Sequence, residues 1–439
     1  MSALTFAGGI HPAYHKDRTS GLAVQAIPAP QEVIIPLSQH IGAPAKACVE
    51  PGAAVKVGQM IAESGGFVSA PVHSSVSGTM KAIEPRPGPM GVPVLCAIIE
   101  NDGTDAAEDT AGTADWKTAS VADLRQKIQS CGVVGMGGAT FPTHVKLSPP
   151  PNKPIDTVIL NGAECEPFLT ADHRIMLEHT AAMVEGLQII TRILDAKHAV
   201  VGIEVNKPDA LDAVRSACAS TDIRVVPLQI KYPQGGEKQL ISAVLRREVP
   251  SGGLPMDVGV VVQNAGTARA VQQAVTAGRP LYERILTVTG SAVPEPGNFL
   301  VRIGTPVATL LTHCGVSADR MGRLILGGPM MGFAQRHVDV PVTKGTSGIL
   351  AFLETESAIL PPMACIRCGR CVRACPMRLV PSQIAACCDH RLFSHARAAD
   401  AMDCMECGSC AHECPSRIPL VQKIRLVKAE ILAARRKTA

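Results

Sequence analysis

Aromatic side chains are scarce in this sequence, at 3% of 439 residues with a single Trp, and charged residues make up only 18%. No window approaches the roughly 18 to 20 consecutive apolar residues that a membrane-spanning helix needs, so we predict no transmembrane segment. The opening residues lack the basic and apolar regions of a signal peptide, and none is predicted. The formal net charge of +4 is too small to indicate a nucleic-acid partner.

Hydrophobic residues reach 46%, which is a globular composition that can bury several cores, so the length predicts two to four domains. Cysteine is abundant, with 16 in the chain, and eight of them form two tight groups, at residues 365–375 and 404–414. Without a signal peptide a disulfide framework is disfavoured, and the clustering indicates metal or redox chemistry.

The clustered cysteines form two copies of the pattern C-x2-C-x2-C-x3-C-P, the second 39 residues after the first. This is the spacing of a two-cluster ferredoxin, in which three cysteines of a motif hold one [4Fe–4S] cluster and the fourth holds the other. Zinc is the alternative, although structural zinc sites use two separated cysteine pairs. We therefore assign Cys365, Cys368, Cys371 and Cys414 to one cluster, and Cys404, Cys407, Cys410 and Cys375 to the second.

A glycine-rich stretch at residues 131–147 follows a predicted helix over 121–130. Gly135, Gly137 and Gly138 allow backbone amides to approach a phosphate or a flat ring, and Lys146 could add a point charge. A plain turn explains the same glycines, so this stretch alone leaves both interpretations open.

The segments that follow alternate between strand and helix patterns, which predicts a parallel sheet flanked by helices. The predicted strands are 157–160, 199–205 and 224–227, and the predicted helices are 181–194 and 208–219. Asn161, Glu164 and Glu166 follow the first strand, where α/β sheets bind ligands. A solvated loop with two glutamates is the alternative.

Taken in order, these motifs resemble the RnfC component of the Rnf (Rsx) ion-translocating electron-transport complex over essentially the whole chain. The stretches that carry the resemblance are long. They are Gly8-Gly9-Ile10-His11-Pro12, residues 35–44 (IPLSQHIGAP), residues 69–78 (SAPVHSSVSG) and the paired cysteine motifs.

The middle of the chain is similar to the flavin subunit of respiratory complex I, and that resemblance implies binding of FMN and NADH. The FMN contacts it implies are Gly135, Gly137, Gly138, Lys146, Asn161, Glu164, Tyr232, Gly235, Glu237, Asn264 and Thr267. Phe141 and Glu166 become candidates for positioning NADH, while the hydride step itself needs no catalytic residue of the protein. Two positions depart from the pattern, because Ala163 and Gly236 stand where the family has acidic residues.

The predicted fold class is a multi-domain α/β protein. Residues 1–105 resemble a barrel-sandwich hybrid without the lysine of a carrier domain, and residues 116–280 a Rossmann-like FMN- and NADH-binding domain. Residues 281–350 resemble a β-grasp domain of the SLBB (soluble-ligand-binding β-grasp) type, and 351–439 a double [4Fe–4S] ferredoxin-type domain with a basic C-terminal helix.

The resemblance implies an NADH/NAD+-reactive subunit with FMN and two [4Fe–4S] clusters. Its partners would be the other subunits of an Rnf-type complex, with ferredoxin or flavodoxin reached indirectly, and no nucleic acid. It would sit peripherally on the cytoplasmic side of a bacterial inner membrane, in a complex that couples electron transfer to ion translocation. The alternatives are a flavin and iron–sulfur cobalamin reductase, an electron relay without a nucleotide site, and a zinc-binding adaptor.

Overall fold

A computed structural model describes residues 2–438 of the chain. The first strand, β1 (Val24–Ala26), pairs in parallel with residues 298–300, far along the chain. Two small antiparallel sheets follow, in the strand orders β2-β8-β7-β4 and β3-β5-β6. Their strands are β2 (Glu32–Pro36), β3 (Lys46–Ala47), β4 (Ala54–Val55), β5 (Met60–Glu63), β6 (Val72–His73), β7 (Gly78–Pro87) and β8 (Pro93–Asn101).

The next unit alternates helices and parallel strands, as the sequence pattern predicts. Its elements are α1 (Val121–Ser130), α2 (Thr143–Lys146), β9 (Thr157–Gly162), α3 (Ala171–Glu178), α4 (Thr180–Leu194), β10 (His198–Glu204), α5 (Pro208–Ala217), β11 (Ile223–Leu228), α6 (Glu237–Leu245), β12 (Val260–Asn264) and α7 (Ala265–Ala277). Short 3₁₀ turns occur at Pro255–Val258 here and at Ala318–Arg320, Glu354–Glu356 and Ala401–Asp403 further on.

The four parallel strands of this unit lie in the order β11-β10-β9-β12. The chain therefore winds outward from β9 in one direction and then returns to place β12 on the other side. Such a reversal opens a crevice at the carboxyl ends of the two strands where the order changes, here β9 and β12. Both strands are almost wholly buried, because helices cover both faces of the sheet.

The third unit is a mixed sheet in the order β1-β14-β13-β17-β15-β16, with β13 and β17 parallel at its centre. Its elements are β13 (Glu283–Thr289), β14 (Gly297–Arg302), α8 (Val307–His313), β15 (Met321–Leu326), β16 (Phe333–Gln335) and β17 (Gly348–Leu353). Leu310 of α8 packs with Leu286 and Val288 of β13 in one buried core. A helix packed on such a sheet is the arrangement of a β-grasp fold.

The last unit is helical and consists of α9 (Arg370–Ala374), α10 (Pro381–Asp389), α11 (Phe393–Ala398), α12 (Ser409–His412) and α13 (Leu420–Thr438). Arg391, which has a φ of +54°, lies in the break between α10 and α11. The apolar side of α13 packs on α10 through Ile384, Ile424 and Val427. The predicted C-terminal helix begins at Leu420, and Ala439 lies outside the described residues.

The N-terminal segment ties these units together. Leu4 N donates to Pro227 O (2.9 Å) beside the edge strand β11, and Gly9 N donates to Ala374 O (3.0 Å) in the helical unit. Within residues 2–438, no helix is both long and apolar enough to cross a membrane.

Candidate functional site: a nucleotide crevice beside two four-cysteine sets

The glycine-rich loop lies across the N-terminus of α7. Gly135 N donates to Phe141 O (2.9 Å) and Met136 N to the hydroxyl of Thr267 (2.9 Å), so both ends of the loop are held. A Cβ on Gly137 would come within 3.1 Å of the Asn264 side chain. Gly138 has a φ of +138°, which side chains rarely adopt. The backbone of Gly138 therefore favours glycine, and a side chain at Gly137 would crowd Asn264.

Asn264 links this loop to α3. Its side-chain oxygen accepts from Gly266 N (2.9 Å) and Thr267 N (3.3 Å), which caps α7. Its side-chain nitrogen donates to Asp172 Oδ2 (2.6 Å). Burial and then the nearby Glu164 carboxylate raise the pKa of Asp172.

The turn after β9 forms the opposite wall of the crevice. Asn161 donates to Gly235 O (2.8 Å) and accepts from Ala163 N (3.1 Å). Glu164 has a φ of +43°, and its carboxylate accepts from Asp172 N (2.7 Å) and His173 N (3.1 Å). These bonds cap α3, and an anionic side chain is favourable at that helix end.

Two buried lysines that the sequence analysis missed hold the backbone of this turn. Lys16 Nζ donates to Glu164 O (2.7 Å), and Lys207 Nζ donates to Ala163 O (2.6 Å) and to Glu204 Oε2 (3.2 Å). Burial, with the positive charge of Lys207 next, lowers the pKa of Lys16 to about 8. No local pattern distinguishes either lysine, because both act on backbone atoms far away in the sequence.

The loop before α6 connects the crevice to the cysteine-rich unit. Gly235 N donates to the thiol of Cys165 (3.2 Å), and Tyr232, fully buried, donates its hydroxyl to Cys407 O (2.7 Å). Lys146 and Glu237 form an ion pair at 2.7 Å. The lysine predicted to face a phosphate therefore already has a carboxylate partner.

The two candidates for positioning NADH occupy different surroundings. Phe141 is half-buried at the end of the glycine loop. The Glu166 carboxylate accepts from Met330 N (3.1 Å) and Met331 N (2.9 Å), in the loop between β15 and β16. Burial raises the pKa of Glu166 to about 7. Glu166 thus joins the edge of the crevice to the β-grasp unit.

The eight motif cysteines line two separate cavities, and each cavity combines three cysteines of one motif with the fourth of the other. One cavity is lined by Cys404, Cys407, Cys410 and Cys375, and the other by Cys365, Cys368, Cys371 and Cys414. Gly369 and Gly408, with φ of +71° and +82°, make the turns that precede α9 and α12. Four thiols around one cavity suit a four-iron cluster, which takes one thiolate per iron.

The two cavities differ in exposure and in position. Cys375, Cys407 and Cys410 are buried, whereas Cys365 and Cys368 are exposed. Cys407 packs with Tyr232 and Cys165 in an apolar layer beside the crevice. The buried set therefore lies on the side of the crevice, and the exposed set opens to the surface.

The residues at the crevice also suit a flavin nucleotide. The topological switch point, the glycine loop without Cβ atoms and the N-terminus of α7 are features of nucleotide-binding α/β domains. Together with the paired cysteine sets, this fold and site define an iron–sulfur flavoprotein that transfers electrons.

Four family models match the chain in the order of the structural units. They are the RnfC barrel sandwich hybrid domain (residues 4–104), the Nuo51 FMN-binding domain (128–273), the SLBB domain (285–334) and the 4Fe-4S binding domain (362–378 and 401–417). The predicted fold class is confirmed, as are FMN and iron–sulfur clusters as cofactors. The individual contact residues and the domain limits stay predictions.

Full-length relatives identify the family. The chain is 48% identical to the C subunit of the proton-translocating ferredoxin:NAD+ oxidoreductase complex of Clostridium ljungdahlii, over 98% of this chain and 94% of the relative. It is 46% identical to the C subunit of the Na+-translocating complex of Acetobacterium woodii, over 99% and 98%. It is 44% identical to the C subunit of the ion-translocating oxidoreductase complex of Pseudomonas aeruginosa, over 100% of this chain but 57% of that longer relative. The chain belongs to the RnfC family, as its motifs predicted.

Two crystal structures of an NAD+-reducing [NiFe]-hydrogenase, in the air-oxidized and H2-reduced states, are also similar, each at 17% identity. The TM-scores are 0.49 and 0.48, and the matches cover 70% and 75% of this chain and 63% and 69% of the hydrogenase chains.

Proposed function

We propose that this chain is the NADH/NAD+-reactive, peripheral subunit of an ion-translocating ferredoxin:NAD+ oxidoreductase complex, on the cytoplasmic side of the membrane. The observation that carries the proposal is that one chain combines a nucleotide crevice with two four-cysteine sets, the nearer of which is linked to it by Tyr232. The full-length relatives, named for ferredoxin:NAD+ oxidoreductase complexes, support the same function.

In this proposal the crevice binds and orients the nucleotides. Gly135, Gly137 and Gly138 leave room for close approach of the flavin, and the Asn161–Glu164 turn faces them across the crevice. Phe141 and Glu166 position NADH at the side of the β-grasp unit. When bound, FMN supplies the conversion between two-electron and one-electron chemistry, and no acid or base of the protein is needed for it.

Several implied contact residues would act by holding the crevice in shape. The polar groups of Asn264, Thr267 and Tyr232 bond to other protein groups, and Lys146 pairs with Glu237. The two cysteine sets would each hold one cluster, with Cys375 and Cys414 exchanged between the motifs. The domains would run over 1–105, 116–280, 281–350 and 351–439.

An anaerobic optical titration of the full chain, reconstituted with iron, sulfide and FMN, tests this function. On addition of NADH we expect bleaching of the flavin band, followed by loss of the broad cluster absorbance. If the clusters are intact but NADH changes nothing, the chain is a relay and the nucleotide site lies on another subunit. Reduction of a corrinoid by the purified chain would favour the cobalamin reductase instead.

Gly137→Val tests where the nucleotide site lies. A side chain at this position meets Asn264 at the tight end of the loop, so we expect FMN affinity to fall by about tenfold or more. Gly21→Val is the control, because a Cβ at Gly21 meets nothing within 4 Å. Unchanged FMN binding in Gly137→Val would place the flavin elsewhere.

A further inference from the structure

The exposed cysteine set lies within an unusually apolar stretch of surface. Every residue from 358 to 368 is exposed. Ile359, Leu360, Met363 and Ile366 are exposed by 87%, 57%, 54% and 68%, and Ile366 lines the cavity of this set. Four large apolar side chains exposed within eight residues are a surface feature that indicates an interaction site.

The stretch is held in place although it has no regular structure. Met363 N donates to Ser416 O (2.9 Å), and the Ser416 hydroxyl donates to Ala364 O (2.9 Å). Because Ser416 follows the exchanged cysteine Cys414, the apolar stretch is fixed to the same cavity from both motifs. A partner would therefore meet a surface that is already ordered, which lowers the entropic cost of binding.

The charged residues along this part of the chain have one sign. Between Glu356 and Asp389 the sequence contains four arginines, Arg367, Arg370, Arg373 and Arg378, and no acidic residue. All four are exposed, and none forms an ion pair within the described part of the chain. Unpaired guanidinium groups around an apolar centre favour a partner with carboxylates at its rim.

We propose that this surface, the exposed cluster face (Ile359, Leu360, Met363, Ile366, Arg367 and Arg370), docks an acidic protein domain that carries a one-electron cofactor. This inference rests on the proposed function and names the surface through which its electrons pass to or from the rest of the complex. The buried set cannot serve, because its cysteines lie against the crevice and the core of the helical unit.

A lipid surface would also attract arginines and apolar side chains. The position of the patch favours a redox partner instead, because its centre is the cavity of Cys365 and Cys368 rather than an amphipathic helix. A partner seated there would bring its own cofactor close to these cysteines.

Site-specific photo-crosslinking in the assembled, membrane-bound complex tests the proposal directly. A photoreactive residue at Leu360 should give an adduct with an acidic segment of a subunit that holds an iron–sulfur cluster or a flavin. Met90, exposed by 70% on the β7–β8 hairpin, is the matched control and should not give that adduct. Adducts with lipid, with a second copy of this chain, with a subunit lacking a redox cofactor, or no adduct would overturn the proposal.

Charge reversal provides the second test. Arg370→Glu should slow electron exchange between this chain and its partner subunit by about tenfold at low salt, and less at high salt. Arg320→Glu, at an exposed arginine of the β-grasp unit, is the control. Leu360→Ser should also slow electron exchange, and by the same factor at low and at high salt, because it removes an apolar contact and no charge. Unchanged exchange in both Arg370→Glu and Leu360→Ser would overturn the proposal.

The two proposals can fail separately. NADH-driven flavin bleaching within the chain should be the same in Arg370→Glu as in wild type, because Arg370 lies outside the crevice. If the wild-type chain itself shows no bleaching, the proposed function fails, and the Leu360 adduct still reports whether the exposed cluster face docks a redox subunit.

Discussion

At the scale of single residues, the backbone of the crevice is held by buried charges. The carbonyls of Ala163 and Glu164 each accept from a buried lysine, Lys207 and Lys16, and the Glu164 side chain turns back to cap α3. Glu164 keeps a positive φ in this arrangement, which a non-glycine residue adopts at a cost of about 1–3 kcal/mol. The lysines and the helix cap offset that cost and hold the turn in this conformation.

Tyr232 is the residue that joins the crevice to the buried cysteine set. We expect Tyr232→Phe to destabilise the full chain by about 1–3 kcal/mol, because it leaves the buried carbonyl of Cys407 without its donor. Denaturant unfolding of the reconstituted protein measures this change. The matched control is Tyr14→Phe, since the buried Tyr14 hydroxyl has no hydrogen-bond partner among residues 2–438. Equal effects in the two variants would show that the bond to Cys407 contributes nothing.

Glu166 should make stability depend on pH. Its pKa is raised from 4.5 to about 7 by burial, so between these values the folded chain binds more protons than the unfolded chain. Stability should therefore fall as pH rises from 4.5 to 7. In Glu166→Gln this fall should be smaller, as measured by unfolding midpoints at a series of pH values. Glu430→Gln, at an exposed glutamate, is the control. An identical pH profile in wild type and Glu166→Gln would contradict the raised pKa of Glu166.

At the scale of elements, the strands that form the crevice could be predicted because their signal is local. Val158, Ile159 and Leu160 form a β-branched and apolar run that suits a strand buried on both faces, and the polar turn follows at once. The division between α10 and α11 could not be predicted, because Arg391 has no special preference for the positive φ it adopts. The pairing of β1 with β14 could not be predicted either, because the two strands lie more than 270 residues apart in the sequence.

The exchange of Cys375 and Cys414 between the two cysteine motifs could be predicted from spacing, and it can be tested one cluster at a time. Cys414→Ser should disturb the exposed cluster, whose other ligands come from the first motif, and spare the buried one. Cys375→Ser should do the reverse. Iron content and the electron paramagnetic resonance signals of the reduced protein measure which cluster changes. Cys388→Ser is the control, because Cys388 lines neither cavity. If Cys414→Ser instead damaged the cluster held by Cys404, Cys407 and Cys410, the exchange would be refuted.

At the scale of the whole molecule, three units meet at one buried side chain. Lys344, in the loop before β17, donates to Pro71 O (2.9 Å) in the N-terminal unit and to Gly132 O (2.7 Å) at the start of the glycine loop. The role of Lys344 could not be predicted from the sequence, because the carbonyls that accept its hydrogen bonds are far away along the chain. The N-terminal and β-grasp units thereby help to hold the nucleotide loop in place.

Lys344→Met should loosen this junction. At pH 7 the two buried carbonyls lose their donor, and we expect a loss of about 1–3 kcal/mol in unfolding free energy, with the N-terminal unit becoming more sensitive to limited proteolysis. Burial lowers the pKa of Lys344 from 10.5 to about 7. Between these values the unfolded chain binds more protons than the folded chain, so wild-type stability should rise with pH. The variant lacks this rise, and its deficit should grow from pH 7 towards pH 10.

Lys81→Met is the matched control for this prediction, because Lys81 is half exposed and pairs with Glu100 at the surface. It should change stability by less than about 1 kcal/mol, with no change in proteolysis. If Lys344→Met has the same pH profile as wild type, the amine of Lys344 is not buried at this junction. The N-terminal and β-grasp units would then hold the nucleotide loop through their packing alone.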